Sequence, residues 1–181
     1  MNDAPIITQI LDQETDEDVP LLIPLEASDP DGDSFFFEVD YVTNDNVSVF
    51  VISNGDSLLM VPYPNWSGET EINITVDDGF PSGTSTSFNL TVHPVDDEPF
   101  VDGLIQDLYF YEDFQEPWSR NLDSVFLDID DELDLEYSVS FSEGDVILGE
   151  IVEDTLLTLQ AYPDGEGEDT MFVTASNPTR A

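Results

Sequence analysis

The sequence predicts an all-β chain: two tandem Greek-key β-sandwich repeats, the second lacking its last strand. Three observations carry this. Short runs rich in Val, Ile, Thr and Phe alternate with clusters of Asp, Gly, Asn and Pro. No stretch sustains helical periodicity. An acidic pattern also occurs twice. Asn2-Asp3-Ala4-Pro5, Asp16-Glu17-Asp18, Ser28-Asp29-Pro30-Asp31-Gly32-Asp33 and Val76-Asp77-Asp78-Gly79 form the first pass. Val95-Asp96-Asp97-Glu98-Pro99, Tyr111-Glu112-Asp113, Leu127-Asp128-Ile129-Asp130 and Thr174-Ala175-Ser176-Asn177 form the second.

In the first repeat, strands are expected over 6–14 (A), 20–27 (B), 34–42 (C), 47–52 (D), 57–62 (E), 70–77 (F) and 85–93 (G). Strand F sets Ile72, Ile74 and Val76 against Glu71, Asn73 and Thr75, and Phe88, Leu90 and Val92 alternate likewise in G. Such period-two patterning belongs to a sheet with one buried and one wet face. The second repeat predicts strands at 104–111, 117–127, 133–140, 146–152, 155–161 and 169–175, equivalent to A through F. Spacing supports the repetition: Pro5 and Pro99 lie 94 positions apart, Glu17 and Glu112 lie 95 apart, and Asp31 to Asp130 and Asp78 to Asn177 both span 99. The step from 95 to 99 implies a short insertion between A and B. The expected domains are 1–97 and 98–181.

Charge excludes several functions. The chain has 42 acidic residues against two basic ones, Arg120 and Arg180, for a net charge of −40. No cationic patch can form to hold a nucleic-acid backbone or an anionic membrane. Self-repulsion on this scale calls for screening, by high salt or by a divalent cation. Even so, 40% apolar residues suffice for packed cores. Cysteine is absent, which removes disulfides and thiolate metal sites. No segment reaches the ~20 apolar residues of a membrane span. No signal peptide is visible, and both ends read as cut from something longer.

Strand direction brings carboxylates together. If A runs down, B and F run up and G runs down. Asp29 and Asp31 then share the upper end with Asp77 and Asp78, while Glu17, Glu69, Asp96 and Asp97 come to the lower end. End-to-end stacking of the repeats is expected to gather Glu17, Glu69, Asp96, Asp97, Asp128 and Asp130. Crowded carboxylates are relieved by protonation or by a cation. Calcium, which takes 6–8 oxygen ligands in flexible geometry, suits an all-oxygen set. An EF-hand reading of Asp29-x-Asp31-x-Asp33 fails, because Ser34 stands where that loop needs glycine. The single histidine, His93, falls at a strand end and supports no nucleophilic triad. Trp66 and Trp118 are read as caps of the sandwich ends rather than sugar platforms. No catalytic residues are expected, and the chain is read as a non-enzyme.

As a set, these residues resemble an Ig-like, cadherin-like repeat of the bacterial tandem and dystroglycan type. The match runs through Asn2-Asp3-Ala4-Pro5, Glu17-Asp18, Ala27-Ser28-Asp29-Pro30-Asp31-Gly32-Asp33, Pro64-Asn65-Trp66-Ser67-Gly68 and Val76-Asp77-Asp78-Gly79. It covers the whole first repeat and, more loosely, the second. The resemblance implies calcium ligands at Glu17, Asp96, Asp97, Asp128, Asp130 and Asn177, with Glu69 available nearby. It implies a second half-site from Asn2, Asp3, Asp29, Asp31 and Asp78. The animal cadherin Asp-Arg-Glu motif is missing, Pro94 occupies an otherwise acidic linker position, and Asn177 replaces an aspartate. Fewer charged ligands are therefore expected. The implied role is an extracellular or cell-surface bacterial module for adhesion or rigid spacing, stiffened by calcium. Its expected partners are adjacent repeats and a cell-surface protein or glycan. Two alternatives remain open: a carbohydrate-binding accessory module of a secreted polysaccharide-degrading enzyme, and a passive salt-adapted spacer.

Overall fold

The computed structural model describes residues 2–52, 55–81, 83–111, 116–130, 135–143 and 146–177. The chain divides into two compact units, Met1–Val95 and Asp96–Ala181. The first contains β1 (Ile6–Ile7), β2 (Gln13–Asp16), β3 (Leu21–Pro24), β4 (Ala27–Ser28), β5 (Phe36–Val42), β6 (Val47–Ile52), β7 (Ser57–Pro62), β8 (Gly68–Asp77) and β9 (Thr84–His93). The second contains β10 (Phe100–Val101), β11 (Trp118–Asn121), a 3-10 turn (Leu122–Ser124), β12 (Phe126–Leu127), β13 (Glu136–Phe141), β14 (Ile147–Val152), β15 (Leu156–Ala161) and β16 (Met171–Ser176).

In the first unit a four-stranded sheet, β2-β9-β8-β5, faces a three-stranded sheet, β3-β7-β6. The core between them is Ile23, Leu25, Phe37, Val47, Leu58, Met60, Ile72, Ile74, Val76, Phe88, Leu90 and Val92. These are the alternate residues that the period-two pattern placed inward. The expected strand A is not continuous. Its first part, β1, pairs antiparallel with β4, and its second, β2, pairs parallel with β9. Strand A thus changes sheets partway along, and B likewise divides into β3 and β4. Splitting one strand between two sheets covers two edges with one segment.

Strand β8 starts at Gly68, because its ladder with β9 extends to the Gly68–Val92 pair. Gly68 has φ of +147°, and a Cβ there would lie 2.9 Å from the Trp66 ring. Glycine therefore lets Trp66 fold back against the first core.

The second unit repeats the plan with fewer pairings among its described residues. Strands β11-β15-β14 form one sheet, β13-β16 another, and β10-β12 a short ladder. Its fully buried apolar core is Leu122, Val125, Leu157 and Leu159. Residues 104–111 form no strand, against expectation. In the first unit the equivalent segment includes β2, which owes its ladder to β9; the second unit has no β9 equivalent among its described residues. The expected strand at 117–127 is likewise interrupted. The Asn121 side chain accepts from the Asp123 amide and turns the chain into the 3-10 segment.

Candidate metal centre

The first acidic cluster is built by one strand exit, one turn and the amino-terminal segment. After β4, the chain turns at Ser28-Asp29-Pro30-Asp31-Gly32-Asp33, with Gly32 at φ +81°. Asp29 Oδ1 accepts from the amides of Asp31 (2.9 Å) and Asp33 (3.0 Å), which curls the turn around its carboxylate. Asp31 Oδ2 accepts from the Asp3 amide at 2.7 Å. After β8, the chain turns again at Asp77-Asp78-Gly79. There Asp78 Oδ1 accepts from the Phe80 amide, and its Oδ2 accepts from Asn2 Nδ2 at 2.9 Å. The Asn2 amide, followed by the Phe80 amide, holds the Asp78 carboxyl below its ordinary value. The Thr84 hydroxyl donates to the Pro5 carbonyl at 2.6 Å and anchors the segment that delivers Asn2 and Asp3. The structure thus brings Asn2, Asp3, Asp29, Asp31 and Asp78 together.

Asp33 joins them. Carboxylate oxygens of Asp29, Asp31 and Asp33 lie within 4.8 Å of one another. Sequence reasoning missed Asp33 as a ligand, because it was weighed only within an EF-hand. The signal was present in the Asp-x-Asp-x-Asp spacing.

The second unit repeats this geometry. Asp128 Oδ1 accepts from the Asp130 amide at 2.9 Å, as Asp29 does from Asp31. Asp130 Oδ2 accepts from the Asp97 amide at 2.6 Å, as Asp31 does from Asp3. Asn177 Nδ2 donates to Asp96 Oδ2 at 3.0 Å and to the Asp97 carbonyl at 2.9 Å. This last pair is the Asn2–Asp78 pair with its partners exchanged. The amide has moved from the linker to the strand exit, and the carboxylate has moved the other way. Apart from Asp33, which only the first cluster includes, both clusters therefore set four carboxylates beside one amide. The loss of charge expected from Asn177 is offset by Asp96, which stands where the first unit has Asn2.

Glu17 and Glu69 both belong to the first unit. Glu17 is only 3% exposed. Its Oε1 accepts from the Val95 amide at 2.7 Å, and its own amide donates to the His93 carbonyl at 2.9 Å. Glu17 therefore clamps the chain as it leaves β9. Glu69, expected in the loop before strand F, is instead the second residue of β8, opposite Thr91, and is exposed. Glu112 and Asp113, part of the repeated pattern, lie outside the described residues.

The donor atoms suit a hard cation. Asp29 Oδ2 and Asn177 Oδ1 are buried oxygens without a hydrogen-bond partner, and carboxylate and amide oxygens are the ligands calcium takes. No histidine or thiol joins either cluster, so the chemistry of zinc and copper does not fit. His93 instead pairs with Glu14 at the surface, 2.9 Å away. Trp66 and Trp118 are half-buried and pack against the two cores rather than standing as flat exposed platforms.

A family model described as Bacterial Ig domain matches residues 2–93. No curated protein matches the chain. Among solved structures, protocadherin gamma B2 extracellular cadherin domains 3–6 align over 95% of this chain and 43% of theirs, at 11% identity and TM-score 0.55. The human desmocollin-1 ectodomain aligns over 96% of this chain and 38% of its own, at 12% identity and TM-score 0.50. An endo-fucoidan hydrolase of glycoside hydrolase family 107 aligns over 98% and 27%, at 17% identity and TM-score 0.43. The chain spans under half the length of each of these proteins. The cadherin likeness is one of fold.

Proposed function

The chain belongs to the bacterial Ig domain family, and from that premise we propose that it is a non-catalytic, calcium-binding module of a bacterial surface or secreted protein. Its work is adhesion or spacing. Calcium sits at the acidic end of each unit, held by Asp3, Asp29, Asp31 and Asp78 with Asn2 in the first, and by Asp96, Asp97, Asp128 and Asp130 with Asn177 in the second. Bound calcium neutralises carboxylates that otherwise repel, and it ties the incoming linker to two strand exits. The chain's own part is to pre-arrange the oxygens: Asp29 and Asp128 each curl a turn through one oxygen.

The observation that carries this reading is the exchange of Asn2 and Asp78 for Asp96 and Asn177. Acidic surface needed only for solubility has no reason to keep one amide and four carboxylates in the same constellation. Adhesion and extracellular placement rest on the family and on the acidic composition.

Calcium titration followed by calorimetry and thermal melting tests the reading. Saturable binding is expected, with stabilisation of roughly 2.7 kcal/mol at a hundredfold excess over Kd. Asp31→Asn and Asp130→Asn should each weaken one site. If millimolar calcium shifts the melt no more than matched sodium chloride does, the reading fails and the passive salt-adapted spacer stands.

A further inference from the structure

The two sheets of the first unit have unlike outer faces. On the four-stranded sheet, Glu69, Glu71, Asn73 and Thr75 of β8 lie beside Thr91, Asn89, Ser87 and Ser85 of β9, which makes the wet face of a period-two pattern. On the three-stranded sheet, Ile23, Leu58 and Met60 point into the core, yet the residues alternating with them are apolar as well. Leu22, Leu59 and Phe50 form one row across β3, β7 and β6. Pro24 and Ile52 flank Ser57 on one side of that row, and Val61 lies beside Ser48 on the other. Leu22 is 55% exposed and Phe50 51%. None of these outward residues is charged, in a chain of net charge −40. Exposed acids stand at the two ends of the face instead. Asp18 and Asp45 precede β3 and β6 at one end; Glu26 and Asp56 lie at the other, where Asp56 Oδ1 accepts from the Ser57 hydroxyl at 3.0 Å. The second unit differs on the same row. Leu157 is the counterpart of Leu58 at the offset of 99 residues, and both are 0% exposed. Thr158 thus stands for Leu59, and the residues opposite it are Ser119 and Glu150. The fold does not require an apolar row at this place.

We propose that this face docks a cationic amphipathic helix of a partner. The helix lies along β7, with its apolar stripe on Leu59 and Val61 between Leu22 and Phe50, and with Lys or Arg side chains against the acids at both ends. Contiguous exposed apolar surface with a polar rim marks an interaction site, whereas single exposed apolar side chains do not. Size and charge select the occupant. Three strands ~4.8 Å apart and six residues rising ~3.4 Å each give a footprint of about 14 by 20 Å. A helix of about 13 residues, about 10–12 Å across, matches it. Two copies of the chain set face to face would bury only about 560 Å² of this surface, well under the ~1,000 Å² of a stable interface. A second copy also brings another net charge of −40, and Arg120 and Arg180 are the only basic residues it could offer. A cationic helix is attracted at both ends of the face and repelled at neither.

The test uses the full chain in chelator, at about 0.15 M sodium chloride to screen diffuse attraction. The probe is a peptide of roughly 18 residues made of leucine and lysine, with leucine at helical i, i+3, i+4 and i+7 spacing. A scrambled peptide of the same composition, without the stripe, separates docking from charge alone. Calcium plays no part, so failure here leaves the calcium reading untouched. The expected result is saturable 1:1 binding, with methyl NMR shifts at Leu22, Ile52, Leu59 and Val61, and at least tenfold weaker binding of the scrambled peptide. The combined variant Leu22→Ser, Phe50→Ser and Leu59→Thr keeps the charge and should bind at least tenfold more weakly, with its thermal melt little changed. The shift map on the unaltered chain decides the matter even if that variant unfolds. The proposal is overturned if millimolar peptide does not bind, if both peptides bind alike, or if the shifts fall on the acidic clusters instead. It is equally overturned if the chain is already a dimer that the combined variant separates.

Discussion

Asp78 sits where a strand exit meets the linker, and its low pKa reports that meeting. Replacing Asn2 by Ala removes the leading cause and should raise the Asp78 pKa towards the ordinary carboxylate value, as followed by carboxyl carbon NMR. The folded pKa is depressed, so this contribution to stability is present above the unfolded value, about 3.9. It is lost as pH falls through the folded value. The exchanged pair gives a sharper test. Asn177→Asp adds a fifth carboxylate beside Asp96, 3.0 Å from the present amide. In chelator it should cost about 1 kcal/mol, the repulsion of two charges near 4 Å in a water-like medium. Adding Asp96→Asn restores four carboxylates and one amide, and should recover most of that loss. Urea unfolding of these two variants and of Asp96→Asn alone closes the cycle. The individual acids were legible in the sequence. Their pairing was not, because Asn2 and Asp78 are 76 positions apart and only the fold sets the amide against the carboxylate.

At the scale of elements, strands with a clean period-two pattern and a tight turn were read closely. Strands β6 and β7 have the predicted limits, and β8 and β9 begin slightly earlier than expected. Strand A was misread as continuous. Alternation shows which face is buried but says nothing of which sheet a segment joins. The Trp66–Gly68 contact was equally hidden, and Gly68→Ala should cost about 1–3 kcal/mol through positive φ and ring contact. In the second unit, Tyr137 on β13 donates to Asp123 Oδ1 at 3.0 Å. Burial first, and then Asp123, pushes its phenol up to about 12. The folded pKa exceeds the unfolded value near 10, so the contribution is whole below pH 10. It should fade as pH rises from about 10 to about 12, and Tyr137→Phe should remove that alkaline loss from the stability profile.

At the scale of the whole chain, the two units have unequal cores. Among the described residues, twelve buried apolar side chains hold the first and four hold the second. Two thermal transitions are therefore expected in chelator, with the second unit melting first. Leu58→Ala, at a 0% exposed site, should lower only the later transition, by about 2–5 kcal/mol. Sodium chloride should raise both, since net −40 is repulsive everywhere and is screened without a specific site.

Composition and period-two alternation, read from the sequence alone, determined the all-β class, the doubling of the pattern and the inward faces. These are local or summed properties, and each follows from residues close in the chain or from a total. Tertiary structure alone decided what depends on distant segments meeting. It divided strand A between two sheets and fastened Glu17 to Val95. It also showed the amide and carboxylate exchanged between the two clusters. No period or count carries such contacts, because each requires backbone groups dozens of residues apart to arrive at one end of a sandwich.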